Sequence, residues 1–168
     1  YADSAIQRGC QFYTLHTNFV KRSNEKVPVV VLHGGPGVPS NYLLPLADHS
    51  DRSLLFYDQL GCGQSDRPDN EDLYSIDLFL NDFVQLLDEF SFDGGFHLYG
   101  QSFGGILAFE YLKRERPENC LSVTLSSTPT SVPQVEAEAN RLMQTLIMDA
   151  GGEEDNMEEV FRKAHQCQ

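Results

Sequence analysis

Phe96-His97-Leu98-Tyr99-Gly100-Gln101-Ser102-Phe103-Gly104-Gly105 is the stretch whose reading decides the fold. Residues 96–99 read as a short strand, and residues 103–114 read as a helix behind it. Between them Gly100 to Gly104 spells Gly-x-Ser-x-Gly. A serine on so tight a strand-to-helix turn is forced outward with its hydroxyl exposed. The flanking glycines are needed because the turn brings neighbouring backbone close, and a Cβ there would clash. The N–H after the serine lies at the positive end of the helix and points to where negative charge would develop. Gly105 adds a second small residue where the helix meets the sheet. A bare glycine-rich turn can share this spelling, but it lacks the strand before and the helix after.

Outward from this stretch, short apolar runs alternate with helical patterns, which predicts an α/β fold with a mostly parallel sheet and flanking helices. Residues 27–32 form a continuous apolar run, as a strand buried on both faces requires, with Pro28 near its start. Residues 53–57 read as a second such strand and residues 39–49 as a short helix. Weak alternation over residues 9–19 predicts one or two edge strands. Over residues 75–90, Ile76, Phe79, Leu80, Phe83, Val84, Leu87 and Phe90 follow three-four spacing. Asp77, Asn81, Asp82, Gln85, Asp88 and Glu89 are assigned to the outer face. Asp93-Gly94-Gly95 reads as a turn, and Leu121, Val123 and Leu125 mark a fourth strand.

After Ser126-Ser127-Thr128-Pro129 the alternation stops. Residues 131–149 read as a helix, with Ser131 and Gln134 resembling a capping box and Pro133 in its first turn. A last short helix would carry Met157, Val160, Phe161 and Ala164. The expected organisation is therefore a core over residues 1–128 and the beginning of a helical lid over residues 129–168.

Two further motifs follow the first two buried strands. His33-Gly34-Gly35-Pro36-Gly37 gives a backbone free to turn across the top of the sheet and to offer an N–H to an oxyanion. A phosphate loop is excluded because no Gly-Lys-Ser/Thr follows, and the glycine spacing is not that of a dinucleotide fingerprint; taken alone, these residues equally allow a plain turn with a structural histidine. His33 precedes the serine, so it reads as an orienting residue rather than a general base. Asp58-Gln59-Leu60-Gly61-Cys62-Gly63-Gln64-Ser65 follows the second strand. Cys62 has no basic neighbour in sequence and reads as structural. His97, within a strand, reads as a satisfied structural histidine.

Bulk properties narrow the class. The 168 residues carry 25 acidic and 12 basic side chains, a net charge of −13, which argues against nucleic-acid binding. No apolar run approaches the ~18 residues of a membrane span. Cys10, Cys62, Cys120 and Cys167 show no metal-clip or redox spacing and suit free thiols in a reducing, cytoplasmic compartment, although their even number leaves disulfides open. The acidic group Glu153-Glu154-Asp155 reads as a solvated helix start, so no metal site is expected. The chain begins with Tyr1 rather than Met, which reads as a processed, trimmed or incomplete start.

Taken together, HGGPG at 33–37, DQLGCGQS at 58–65 and GQSFGG at 100–105 resemble the α/β-hydrolases, and within them the prolyl aminopeptidase (proline iminopeptidase) family. The pieces occur in that family's order over nearly all of this chain. The resemblance implies Ser102 as nucleophile and the backbone N–H groups of Gly35 and Phe103 as the oxyanion hole. His33, Gly34, Gly37, Gln101 and Gly104 would support them. It further implies a peptide or amide substrate with a free N-terminus, often proline, held partly by carboxylates of a cap in whose segment Glu136 and Glu138 lie. No cofactor is implied.

One departure matters. In this fold the catalytic acid and histidine follow the serine. After Ser102 the chain has only His165, and only Asp149 and Asp155 as aspartates. The expectation is an N-terminal fragment, inactive by itself, with an unpaired sheet edge after residues 120–126. An ester, lactone or amino-acid amide hydrolase of the same fold is the neighbouring reading. A non-catalytic binding protein built on the fold's first half is the alternative from another class.

Overall fold

In the computed structural model, which describes residues 2–92 and 94–149, six strands form one sheet. They are β1 (Ala2–Arg8), β2 (Gln11–Val20), β3 (Val29–Leu32), β4 (Leu54–Tyr57), β5 (Phe96–Gln101) and β6 (Cys120–Ser126), in the order β1-β2-β4-β3-β5-β6. The pairs β4–β3, β3–β5 and β5–β6 are parallel, whereas the hairpin β1–β2 joins antiparallel to β4. The expected mostly parallel α/β architecture is present. The helices are α1 (Ile76–Phe90), α2 (Phe103–Glu115) and α3 (Val132–Asp149). The chain divides into two compact units, Tyr1–Thr128 and Pro129–Gln168. The short helix anticipated around Met157 lies outside the described residues.

The central strands explain their own composition. Val30, Val31, Leu32, Leu54, Leu55 and Phe56 are all buried, because β3 and β4 are covered on both faces. On one face Val30, Leu32, Leu55 and Leu98 pack with Phe83 and Leu86 of α1 and Leu107 of α2. On the other, Val31, Leu54 and Phe56 pack with Leu43 and Ala47. Those last two belong to Ser40–His49, which is a 3-10 helix rather than an α-helix and contains Pro45, a residue without an N–H. Each fully buried Leu or Phe contributes roughly 1.5–3 kcal/mol of hydrophobic stabilisation. Phe83 lies edge-on to Tyr111 at 4.9 Å and stacks on Tyr57 at 6.3 Å, tying α1 to α2 and to β4.

Two expectations from periodicity are corrected. The weak alternation over residues 9–19 missed β1, whose inward residues are Ser4, Ile6 and Arg8. Only one of these three is apolar, so the strand carries almost no hydrophobic signal. Asp82, assigned to the outer face of α1, is buried. Arg8 meets it in a bidentate pair, with Nε donating to Oδ1 at 2.8 Å and Nη2 donating to Oδ2. Arg8 also donates to the Leu73 carbonyl and lies 5.9 Å from the centre of the Phe79 ring. Burial pushes the Asp82 carboxyl up from its usual range, against the opposing pull of Arg8. The pair thus clips the hairpin to α1 through the core.

At the other end of the sheet β6 is paired only with β5 among the described residues. Leu121, Val123 and Leu125 on it are exposed.

Candidate active site

Ser102 occupies the turn between β5 and α2 with φ 51° and ψ −117°, a conformation that side-chain-bearing residues rarely adopt. Its neighbours make this geometry possible. A Cβ on Gly100 would stand 2.6 Å from the Gly104 carbonyl oxygen. One on Gly104 would stand 2.6 Å from the His33 carbonyl oxygen, where α2 starts against the end of β3. One on Gly105 would overlap the Thr128 side chain. The Ser102 backbone is fully engaged: its N–H donates to the Ser126 carbonyl at 2.8 Å, and its carbonyl accepts from Gly105 at 2.9 Å. Ser102 is half-buried, and its hydroxyl has no partner among the described residues. Phe103, next in the chain, is held edge-on to Phe79 at 6.0 Å.

The loop after β3 is fastened beside this turn. A Cβ on Gly34 would stand 3.1 Å from the Ser102 Cβ and 3.0 Å from the Tyr42 hydroxyl oxygen, so only glycine fits. The Gly34 N–H donates to Tyr42 Oη at 2.8 Å, and Tyr42 Oη donates to Gln101 Oε1 at 2.6 Å. His33 is fully buried. The Gln59 N–H donates to its Nε2 at 2.9 Å, so Nε2 carries the lone pair. The proton is therefore on Nδ1, which donates to the Gly34 carbonyl at 2.8 Å. Burial lowers the His33 pKa below its ordinary 6.5, with the Gly34 carbonyl and Asp58 pulling the other way. Gln59 Nε2 returns a bond to the His33 carbonyl at 2.9 Å, clasping the ends of β3 and β4 together. Gly35 and Gly37 have φ of 120° and 93°. The N–H groups of Gly35 and Phe103 meet no acceptor among the described residues.

The loop after β4 supports the loop after β3 through Gln59 and His33. Burial would raise the Asp58 carboxyl, but backbone donors from Ser40 (2.8 Å) and Gln64 (3.1 Å), with the Ser40 hydroxyl and His33, hold it below its usual range. Cys62 is buried and its thiol is pushed up by that burial, the opposite of what a nucleophilic thiolate needs. Cys10, Cys62 and Cys120 are free thiols. A cleft of about 380 Å³ opens between Pro36, Gly37, Leu60, Tyr74, Phe79 and Phe103.

The structure thus brings Ser102, Gly34 and Gln101 together, seats Gly104 against the end of β3 and buries His33 beneath the loop. Tyr42 and Gln59 were not anticipated, since only the folded chain sets residues 34, 42 and 101 side by side. Among the described residues no histidine or carboxylate bonds to the Ser102 hydroxyl. His165 and Asp155 lie outside the described residues, and Asp149 ends α3 in the other unit. His97 bonds Ser122 Oγ through Nδ1 at 2.7 Å. Glu138 is engaged by Arg141 at 2.6 and 2.8 Å. Among the described residues no group of three or more His, Cys, Asp or Glu could hold a metal ion, and no helix is long and apolar enough to cross a membrane.

A free hydroxyl on such a turn, beside a glycine loop with an unengaged N–H, is an arrangement that can form and stabilise a tetrahedral oxyanion. Comparison with known proteins identifies the family. Residues 27–167 match the family model described as alpha/beta hydrolase fold. Proline iminopeptidase of Lactobacillus acidophilus is 40% identical over 141 residues, 82% of this chain and 48% of that protein. Proline iminopeptidase of Clostridium botulinum is 37% identical over 126 residues, 74% of this chain and 43% of that protein. The chain thus spans about half the length of the curated relatives it matches. Among solved structures, VinJ superposes with a TM-score of 0.78 at 26% identity, and proline iminopeptidase of Mycobacterium smegmatis with 0.77 at 25%. Each covers 97% of this chain, which covers 59% of each.

Proposed function

This chain belongs to the α/β-hydrolase fold family, and from that footing we propose that it carries the nucleophile side of a serine hydrolase of the prolyl aminopeptidase kind. The substrate class proposed is a peptide or amide with a free N-terminus. The observation that carries the reading is Ser102 itself: a residue held at φ 51° whose backbone is fully bonded and whose hydroxyl is left free. Strain of this kind clusters at functional sites, where the surrounding structure over-determines it.

In the proposed reaction Ser102 Oγ attacks the carbonyl carbon of the N-terminal residue, in the amide bond that joins it to the rest of the substrate. The carbonyl oxygen becomes negative and is held by the N–H groups of Gly35 and Phe103. Collapse expels the amine, which leaves protonated, and forms an ester on Ser102. Water then cleaves that ester, releasing the N-terminal residue as its acid and restoring the hydroxyl. The serine proton must pass to a base and from there to the leaving amine, and the family's order places that histidine and its acid after the serine. The residues around Ser102 described above are assigned neither role. A serine without a base is a weak nucleophile at neutral pH, so the 168-residue polypeptide assayed alone is expected to turn over little substrate. Within residues 129–168 the proposed role is the beginning of a lid over the substrate.

The test uses the longest polypeptide that the gene encodes. A fluorophosphonate probe should label it, and labelling should vanish in Ser102→Ala. Proline β-naphthylamide should be cleaved in preference to p-nitrophenyl esters. Preference for the esters would move the substrate assignment to an esterase. Labelling that survives in Ser102→Ala, or a chain that never labels, would overturn the enzymatic reading.

A further inference from the structure

Glycine at position 34 has no side chain of its own to anchor it, so hydrogen bonds to its backbone fix its direction. Two such bonds converge on this residue. Its carbonyl accepts from His33 Nδ1, and its N–H donates to Tyr42 Oη. The second partner is not part of the loop. Tyr42 sits on the 3-10 helix Ser40–His49, which is seated by buried Leu43 and Ala47 and tied at its start by the bond from Ser40 to Asp58. The phenol oxygen also donates to Gln101, the residue before Ser102.

We propose that Tyr42 is a positioning residue whose hydroxyl, bridging Gly34 N–H and Gln101 Oε1, sets the aim of the Gly35 N–H relative to Ser102. The inference rests on the hydrolase reading for what that aim achieves, but not for the bridge itself. With the Gly34 N–H held by Tyr42 and its carbonyl held by His33, both peptide planes flanking Gly34 are fixed. The 34–35 peptide is trans, so its N–H points opposite to its carbonyl. Anchoring that carbonyl on His33 therefore turns the Gly35 N–H away from His33, and Tyr42 stops the preceding plane from rotating. A phenol suits the post because one oxygen must accept from an amide and donate to an amide oxygen. Burial raises the Tyr42 pKa, partly opposed by the Gly34 N–H, so the phenol keeps the proton that it donates. Tyr42 is 42% exposed, so removing its oxygen should cost the core little.

The experiment compares Tyr42→Phe, Gln101→Leu and the double variant in the longest polypeptide the gene encodes. Losing an oxyanion donor outright costs about 10²–10³ in kcat, so a misaimed donor should cost about tenfold, with KM changed by less than about twofold. Because the two side chains act as one bridge, the double variant should fall no lower than the worse single variant. Hydrogen exchange at the Gly34 amide should speed up about tenfold in Tyr42→Phe, a readout that needs no activity. Parent-like kcat in Tyr42→Phe, multiplicative losses in the double variant, or a rise in KM alone would overturn the proposal. Unchanged Gly34 exchange would do so whether or not the protein is an enzyme. A parent with neither probe labelling nor turnover would instead sink the hydrolase reading, leaving the bridge to be judged on exchange.

Discussion

Replacing Ser102 with glycine should make the protein more stable than replacing it with alanine, although glycine is ordinarily the weaker residue. At φ 51° and ψ −117° a side-chain-bearing residue is strained, and such strain costs of order 1–3 kcal/mol. Alanine keeps the Cβ and therefore the strain. Glycine removes it, but surrenders about 0.5–1 kcal/mol of extra backbone entropy on folding. The net expectation is about 1 kcal/mol in favour of glycine, or about 2–4 °C in Tm for a chain of this size. Neither variant has a hydroxyl, and the Ser102 hydroxyl makes no bond among the described residues, so side-chain hydrogen bonding does not enter the difference. Urea and thermal unfolding of parent, Ser102→Ala and Ser102→Gly in the same polypeptide would measure it. Alanine close to the parent and glycine above both is the expected order. Glycine equal to or below alanine would refute the idea that this turn stores strain, and would weaken the case built on it for Ser102.

Three further outcomes follow from the packing. Arg8→Met strands a buried carboxylate and should cost about 3–5 kcal/mol, whereas Arg8→Met with Asp82→Leu should recover most of that loss in urea unfolding. Native His33 resists protonation while an unfolded histidine accepts a proton near 6.5, so the unfolded state binds more protons as pH falls below that value. Stability should therefore be level above about 6.5 and decline below it. Comparing urea midpoints at about pH 7.5 and about pH 5.5 in a His97→Gln background, which removes a second lowered histidine of the same sign, checks this; no decline would count against the His33 assignment. Val123→Lys places a charge on the outer strand β6 and should reduce concentration-dependent association in sedimentation, with little change in unfolding midpoint.

How far the sequence could be read depended on whether the signal was local. Residues 96–105 announced their turn because a serine among glycines between a strand and a helix has few other uses, and the structure puts β5 and α2 on either side of it. Residues 29–32 and 54–57 were legible because strands covered on both faces must be apolar throughout. β1 was not, since Ser4 and Arg8 share its inward face with Ile6. Asp82 was misplaced because a helical wheel sends every carboxylate outward, and its partner Arg8 lies 74 residues earlier in the chain. Tyr42 was silent for the same kind of reason: an exposed tyrosine has no signature until Gly34 and Gln101 are beside it.

The location of the candidate site follows from strand direction. β3, β4 and β5 are parallel, so their carboxyl ends share one edge of the sheet. Each continues into a glycine-bearing segment: the loop with Gly34 and Gly35 after β3, the loop with Gly61 and Gly63 after β4, and after β5 the first turn of α2, with Gly104 and Gly105. In open parallel sheets ligands bind outside the carboxyl ends of the strands, because there the loops diverge and helix N-termini face outward. The glycines show what that edge demands, which is close approach of a neighbouring element to the backbone. Gly34 meets Ser102 and Gln101, Gly63 meets Asp58 and Pro39, and Gly104 meets the end of β3. A surface loop with no binding task can keep its side chains and stand a few ångströms further off. Here the loop after β3 is drawn against the Ser102 turn, and the N–H groups of Gly35 and Phe103 meet no acceptor among the described residues. Such donors are fixed by the fold and need no reorganisation when negative charge develops, which is the property that transition-state stabilisation requires.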